Sequence, residues 1–392
     1  MTAETPSVPG PGLAAAAQEA VERAHEVAER AASVAHDVAG RASTAGHEAK
    51  ERASHAAKDA KERATQAGAR AQQVVLKAIP TTELKARWEQ VALTIFIVVP
   101  ALAVAATVPM LWGSFIGPVD VALFLVFYAI TGHGITVGYH RYFTHGSFKA
   151  NRGLKIGLAI AGSMAIQGPP TRWVADHRRH HAYSDSEGDP HSPWAYGPGA
   201  KNMVKGFWHS HIGWLYDVEQ TNQERFAPDL LADPDVQRVD ANFQWLVAAT
   251  LLLPAILGGL ITWSWLGAIT AFFWASLVRV FLLHHTTWSI NSICHMVGRK
   301  PFAARDQSRN VWPLAIVSMG ESWHNLHHAE PTAARHGVDR GQLDSTARII
   351  WIFEKLGWAT NVRWPKPQRL DARRTGSKTA STLEAFESVP AA

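Results

Sequence analysis

Long apolar stretches recur along this chain, and they set its plan. Residues 91–112 carry no charged side chain, and residues 119–139 form a second apolar stretch. Residues 243–262 and 265–285 make a third and a fourth, joined by an uncharged tight turn near residue 263. Each is about twenty residues long, enough to cross a hydrocarbon core of about 30 Å as a helix. Residues 153–168 are apolar but short, and read as a re-entrant or interfacial helix. Lys and Arg crowd the segments before 91, between 140 and 242 and after 286, while the connections at 113–118 and near 263 have none. Basic loops stay on the cytoplasmic side. The pattern predicts an all-α membrane protein: four transmembrane helices in two hairpins, carrying a cytosolic helical cap. It is multi-pass in the cell membrane, with both termini in the cytoplasm.

Two flanks differ from this body. Residues 1–21 begin Pro/Gly-rich and are expected to be disordered, as is the Ser/Thr/Ala-rich tail 366–392. Residues 22–80 hold an eleven-residue repeat, ERAHEVAERAA (22–32), SVAHDVAGRAS (33–43), TAGHEAKERAS (44–54) and HAAKDAKERAT (55–65), which Pro80 ends. Eleven residues make three helical turns, so the repeat predicts one helix with a continuous Ala-rich stripe. It is similar in composition to the repeats of late-embryogenesis-abundant and lipid-coat proteins. A solvated Ala-rich helix and a weak membrane-surface helix both fit it.

Composition narrows the classes. Charged residues are 18% and apolar residues 47% of the 392, below the usual charged quarter. The one cysteine, Cys294, excludes an internal disulfide framework. The net charge of +5 favours anionic lipid or an anionic substrate, and no nucleic-acid-binding motif occurs. The N-terminus has no apolar core of a secretory signal.

The candidate chemistry lies in three histidine clusters: His140 with His145, His177 with His180 and His181, and His324 with His327 and His328. Helical spacings of three and four residues share a face, so each His-x-x-His-His group is expected to present three nitrogens in one direction. Imidazole suits iron, zinc, copper and nickel. Eight ligands exceed one ion's needs, so the clusters imply a two-metal site. A metal transporter would instead keep its ligands inside the spans, near the bilayer midplane.

Five segments carry a resemblance: GITVGYHRYFTH (134–145), WVADHRRHHAYSD (173–185), GDPHSP (188–193), NSICH (291–295) and GESWHNLHH (320–328). They resemble the integral-membrane acyl-CoA desaturases of the stearoyl-CoA delta-9 type, over roughly residues 90–365. The resemblance implies two iron ions held by nine histidines, the ninth being His295, with Asn291 reaching one iron through water. It implies a kinked acyl tunnel beside the irons, bent by Gln167, Trp173, Thr287 and Trp288. The tunnel floor would be Tyr128 and Gly132, the glycine leaving room for a long chain. Asp176 matches a position near the carrier head group, but Ala175 stands where the animal enzymes carry an arginine. The implied activity is insertion of a cis double bond at C9 of a long-chain acyl thioester, with O2 and two electrons. No haem-binding His-Pro-Gly-Gly stretch occurs, so a separate ferredoxin- or flavin-type donor protein is expected.

Iron also follows from the chemistry. Breaking an unactivated C–H bond needs an oxidant that no side chain supplies, and zinc has no redox chemistry. Two rivals stand: a hydroxylase on the same scaffold, and a membrane-surface coat protein whose repeat helix is the function. His133, His191, His209, His211, His284, His285 and His336 match no ligand position. Asp176, Asp185, Glu187, Asp189 and Glu321 are the candidate hydrogen-bond partners of the ligands. Trp208 and Trp214 read as interfacial belt residues.

Overall fold

The computed structural model describes residues 78–376 apart from Ser114, together with isolated positions between 30 and 66. The expected repeat helix 22–80, the segment 1–21 and the end of the tail lie almost wholly outside the described residues. The chain divides after Thr82, and every element below lies in the unit from Glu83 onward.

Four helices are long and apolar enough to cross a bilayer: Arg87–Ala105, Pro118–Thr144, Phe243–Thr262 and Trp265–Met296. All four expected stretches are therefore helical, but three of them have shifted bounds. The first ends at Ala105 and resumes as a short helix, Thr107–Trp112, after Ala106. Pro109 explains the break, because its ring clashes with the carbonyl four residues back, that of Ala105. The second and fourth run past their expected ends, to 27 and 32 residues. They are about 40 and 48 Å long, so each projects well beyond a core of about 30 Å. The first histidine cluster and His295 ride on these projecting ends. Of the expected short helix 153–168, only the first part is helical, α1 (Arg152–Ser163), capped by the Asn151 side chain accepting from Leu154 N–H at 2.8 Å, and residues 164–168 form a turn.

Polar contacts join the spans where no water can satisfy them. Arg279, fully buried in the fourth span, donates to Thr131 of the second and to the Thr250 hydroxyl and carbonyl of the third. The Thr270 hydroxyl donates to Asp120 at 2.9 Å. Trp274 Nε1 donates to the Phe115 carbonyl at 2.8 Å.

The cap is built from α1, α2 (Pro170–Tyr183), α3 (Ala200–His211), α4 (Pro234–Ala241), α5 (His324–Ala329), α6 (Ser345–Lys355) and α7 (Pro367–Arg373). Two residue pairs, Lys149 with Thr360 and Ala150 with Ala359, form a small antiparallel ladder that ties the segment after the second span to the segment after α6. The tail does not begin at 366 as expected. Helix α7 packs on the loop around Phe302, with Leu370 against that apolar cluster and Ala303 N–H donating to the Arg373 carbonyl at 2.7 Å.

From Gly134 to Thr144 the second span becomes a π-helix. It lies against α1 so closely that a Cβ on Gly134 would stand 2.3 Å from the Ala161 backbone. Gly157 on α1 has open space instead. Gly134→Ala is therefore expected to cost about 1–3 kcal/mol by overpacking, while Gly157→Ala gains up to about 1 kcal/mol of helix propensity. Thermal midpoints of the two variants in one detergent should move in opposite directions; equal shifts would contradict the packing described.

Candidate metal centre

The nine histidines of the expected ligand set converge in two buried groups. His140, His145, His177, His181 and His327 form one, and His180, His295, His324 and His328 the other, with one ring nitrogen per residue lying within 4.8 Å of the others in its group. The groups cut across the sequence clusters, which corrects the expected common direction of each His-x-x-His-His. On α2, His177 and His181 turn to the five-histidine group and His180 to the other. On α5 the division is reversed, with His324 and His328 together and His327 apart. Positions i and i+4 lie about 40° apart around a helix, and i+3 falls on the far side of i. Each helix therefore reaches both groups.

The spacing of the first cluster has its own cause. Five residues place His140 and His145 far apart around an α-helix but close in a π-helix, whose hydrogen bonds run from i to i+5. His145 N–H indeed donates to the His140 carbonyl at 3.2 Å.

Carboxylates fix the rings. His140 Nδ1 meets Glu321 at 2.5 Å, His180 Nδ1 meets Asp189 at 3.0 Å, His295 Nδ1 meets Asp185 at 2.8 Å and His328 Nδ1 meets Asp306 at 2.6 Å. Each Nδ1–H donates outward, so each Nε2 turns a bare lone pair inward. Within the groups, Nε2 atoms face one another: His295 and His328 each lie 3.0 Å from His324, His140 3.0 Å from His327, and His327 2.8 Å from His181. His145 Nε2 and His180 Nε2 are buried with no hydrogen-bond partner. One N–H on His324 can serve only one of its two neighbours, and nothing serves His180. A cation in each group satisfies all of these lone pairs at once. With metal–nitrogen bonds of about 2.1 Å, ligands at right angles lie about 3.0 Å apart, the separation found here. The residues therefore fit a metal in each group.

The electrostatics agree. Burial, and then neighbouring imidazoles, hold His177, His181, His324 and His327 well below the usual histidine range, so these rings are neutral ligands. Burial opposes ionisation of Asp306, Asp189 and Asp185, but the histidines beside them prevail and all three stay below the usual carboxylate range. Glu321 differs: burial raises it to about 7 against the pull of Arg141. Arg141 is fully buried and donates to Glu321 at 2.9 Å, to Asp344 and to the Ala334 carbonyl.

A cavity of about 650 Å³ opens onto the centre. His140, His177 and His324 line it together with Asn291, Gln167, Trp173, Thr287, Trp288 and Asp176. Gln167 Nε2 donates to Thr287 at 3.0 Å, and Trp173 stacks on His177 with centroids 5.0 Å apart. Ile166 lines the same wall at φ 59°, a left-handed conformation costly for a β-branched residue. Lys85, Glu89 and Arg172 line the cavity beside Asp176, with Arg172 paired to Glu89 at 3.1 Å. Burial raises Asp176. Ala175 is fully buried in the core and cannot touch a head group.

Tyr128 and Gly132 do not line this cavity. Tyr128 donates to the Val317 carbonyl at 2.8 Å, and the space beside Gly132 is filled by Met319, whose Sδ would lie 2.7 Å from an added Cβ. Trp214, expected at the interface, lines the cavity and packs on His191. Asp185, Asp189 and Glu321 are ligand partners as expected, whereas Asp176 and Glu187 are not. Asp306 escaped the sequence reading, since its loop carries no motif.

With this geometry in place, likeness to known proteins decides the family. The family model "Fatty acid desaturase" matches residues 118–364. The chain belongs to the fatty acid desaturases. It is 40% identical over 280 residues to a hex-5-enoyl-[acyl-carrier protein] acetylenase of Moorena producens, covering 71% of this chain and 87% of that one. It is 38% identical over 246 residues to the sn-1 stearoyl-lipid 9-desaturase of Anabaena variabilis, covering 62% and 84%. It is also 38% identical over 239 residues to the delta-9 desaturase-like 2 protein of Arabidopsis thaliana, covering 60% and 74%. This desaturase is thus an oxidoreductase of the iron-dependent, delta-9-like group.

The neutral histidines carry a pH dependence. Their folded pKa values lie below the unfolded value of about 6.5, so below that pH the unfolded chain binds more protons and stability falls. The thermal midpoint of metal-free desaturase should drop as pH is lowered from about 7 to about 5. A midpoint that holds flat or rises over that window would contradict the buried neutral rings.

Proposed function

We propose that this desaturase inserts a cis double bond at C9 of a long-chain acyl thioester, read as acyl-CoA, at a centre of two irons held by the nine histidines. In the balanced reaction one O2, two electrons and two protons combine with two hydrogens of the chain, giving one double bond and two waters. The observation that carries the reading is the apolar cavity ending on His140, His177 and His324. When bound, the metals supply the O2-derived oxidant that C–H cleavage needs.

The protein's own residues supply position. Trp173, stacked on His177, and Trp288 press a flexible chain into one bend, which is positioning catalysis. Gln167 braces the same wall, donating to Thr287 at 3.0 Å and accepting from Trp173 Nε1 at 3.4 Å. Asn291 holds a water toward the four-histidine group. Lys85 and Arg172 offer positive charge to a phosphorylated carrier; relatives bear names with acyl carrier protein, lipid and CoA substrates. The centre faces the cytoplasm, and electrons come from a separate ferredoxin- or flavin-type protein. The N-terminal repeat would tether the enzyme to anionic membrane or to that donor.

Gas chromatography of fatty acids from cells expressing wild type and His180→Ala tests the activity. New cis-9 monounsaturated chains in the wild type alone are expected. Hydroxy acids would support the hydroxylase rival, and a triple bond the activity in the name of the Moorena relative. Supplying purified enzyme with stearoyl-CoA or stearoyl-lipid separates the carriers. Chain length should also respond to Met319, which packs one turn beyond the lining residues Ile135 and Thr136. Met319→Ala is expected to shift the product profile toward longer chains; an unchanged profile would remove Met319 from the tunnel's end.

A further inference from the structure

At one place a loop with exposed residues reaches both histidine groups. That place is the loop 299–310, just after the fourth span. Exposed Arg305 donates to the backbone carbonyl of His181, in the five-histidine group. Asp306 holds His328, and Gln307 N–H donates at 2.8 Å to Asp185, which holds His295. Three successive residues thus touch both groups, while the side chains of Arg305 and Gln307 face water.

This loop is basic on its outside. Residues 299–310 contain Arg299, Lys300, Arg305 and Arg309, and their one acid, Asp306, is buried. Helix α7 lies against the loop, but its arginines are paired, Arg369 and Arg373 with Glu330 and the following Arg374 with Asp339, so the loop itself supplies the basic charge. The basic charge lies beyond the apolar band of the fourth span, with exposed Val297 and Trp312 flanking the loop. Leu282 is the last large apolar side chain exposed on the fourth span, and the helix continues to Met296, about 21 Å further on. A head-group layer is only about 5–8 Å deep per leaflet, and screening at physiological salt acts over about 8 Å.

We propose that the face centred on Arg299–Arg309 is the docking surface of an acidic one-electron carrier protein, with electrons entering the centre through the 305–307 wall. The inference rests on the function proposed above, which consumes two electrons per turnover, delivered singly. Complementary charge would steer the encounter and make it sensitive to salt.

The test uses iron-loaded full-length enzyme in nanodiscs, with a plant-type [2Fe–2S] ferredoxin and its NADPH-dependent reductase as the probe. Arg299→Glu with Arg309→Glu is compared with wild type. The variant is expected to raise KM for ferredoxin about tenfold or more and to flatten its salt dependence. Its product yield with dithionite and methyl viologen should match wild type, which shows that the centre is intact. An unchanged KM and salt slope, or a wild-type rate that does not saturate with ferredoxin, overturns the proposal. So does a defect that follows the anionic lipid content of the nanodiscs instead of ferredoxin concentration. A wild type that binds iron but forms no product with viologen would instead overturn the proposed function.

Discussion

The structure turns on one electrostatic constraint: buried imidazole lone pairs aimed at one another about 3.0 Å apart. Left without a cation, one N–H on His324 or on His327 can serve only one of its two neighbours, and each remaining buried nitrogen lacks the water it would have when unfolded. The surrounding protein prevents the rings from turning away. Glu321, Asp189, Asp185 and Asp306 anchor four of them from outside, and Arg141, itself paired with Asp344, holds Glu321 in turn. A pocket organised in this way pre-arranges metal ligands at the expense of apo stability.

The membrane spans serve this pocket by overshooting the bilayer. The second and fourth helices continue beyond the apolar band and carry His140, His145 and His295 with them. Their relative position is held by Arg279 between three spans and by the close packing of Gly134 on α1. The acyl cavity lies where these projecting ends meet the cap, so one end is apolar and the other reaches the charged Lys85, Glu89 and Arg172. On the function proposed above, that arrangement would bring a lipid-soluble chain to a centre beyond the apolar band.

Much of this was legible in the sequence, for identifiable reasons. Four apolar stretches and three histidine clusters are strong one-dimensional signals, and the cavity residues Gln167, Trp173, Thr287, Trp288 and Asn291 came from motif likeness. The division of each histidine cluster between two metal groups was not foreseen, although i, i+4 and i+3 angles contain it. The His140–His145 spacing of five was a visible clue to the π-helix. Asp306 and Met319 could not have been read: each acts through a contact far away in sequence, with His328 and with Gly132, and neither lies in a recognisable pattern. Tyr128 and Gly132 went to the tunnel floor by likeness alone, whereas here a methionine side chain occupies that volume.

The central claim is that two metals are held by groups that cut across the histidine clusters. Mössbauer spectroscopy of 57Fe-loaded wild type, His177→Ala and His180→Ala tests it most directly, because these two histidines are three residues apart on one helix. The account predicts two iron signals of equal area in the wild type, with each variant perturbing a different one. A single iron per chain, or both variants perturbing the same signal, would contradict it.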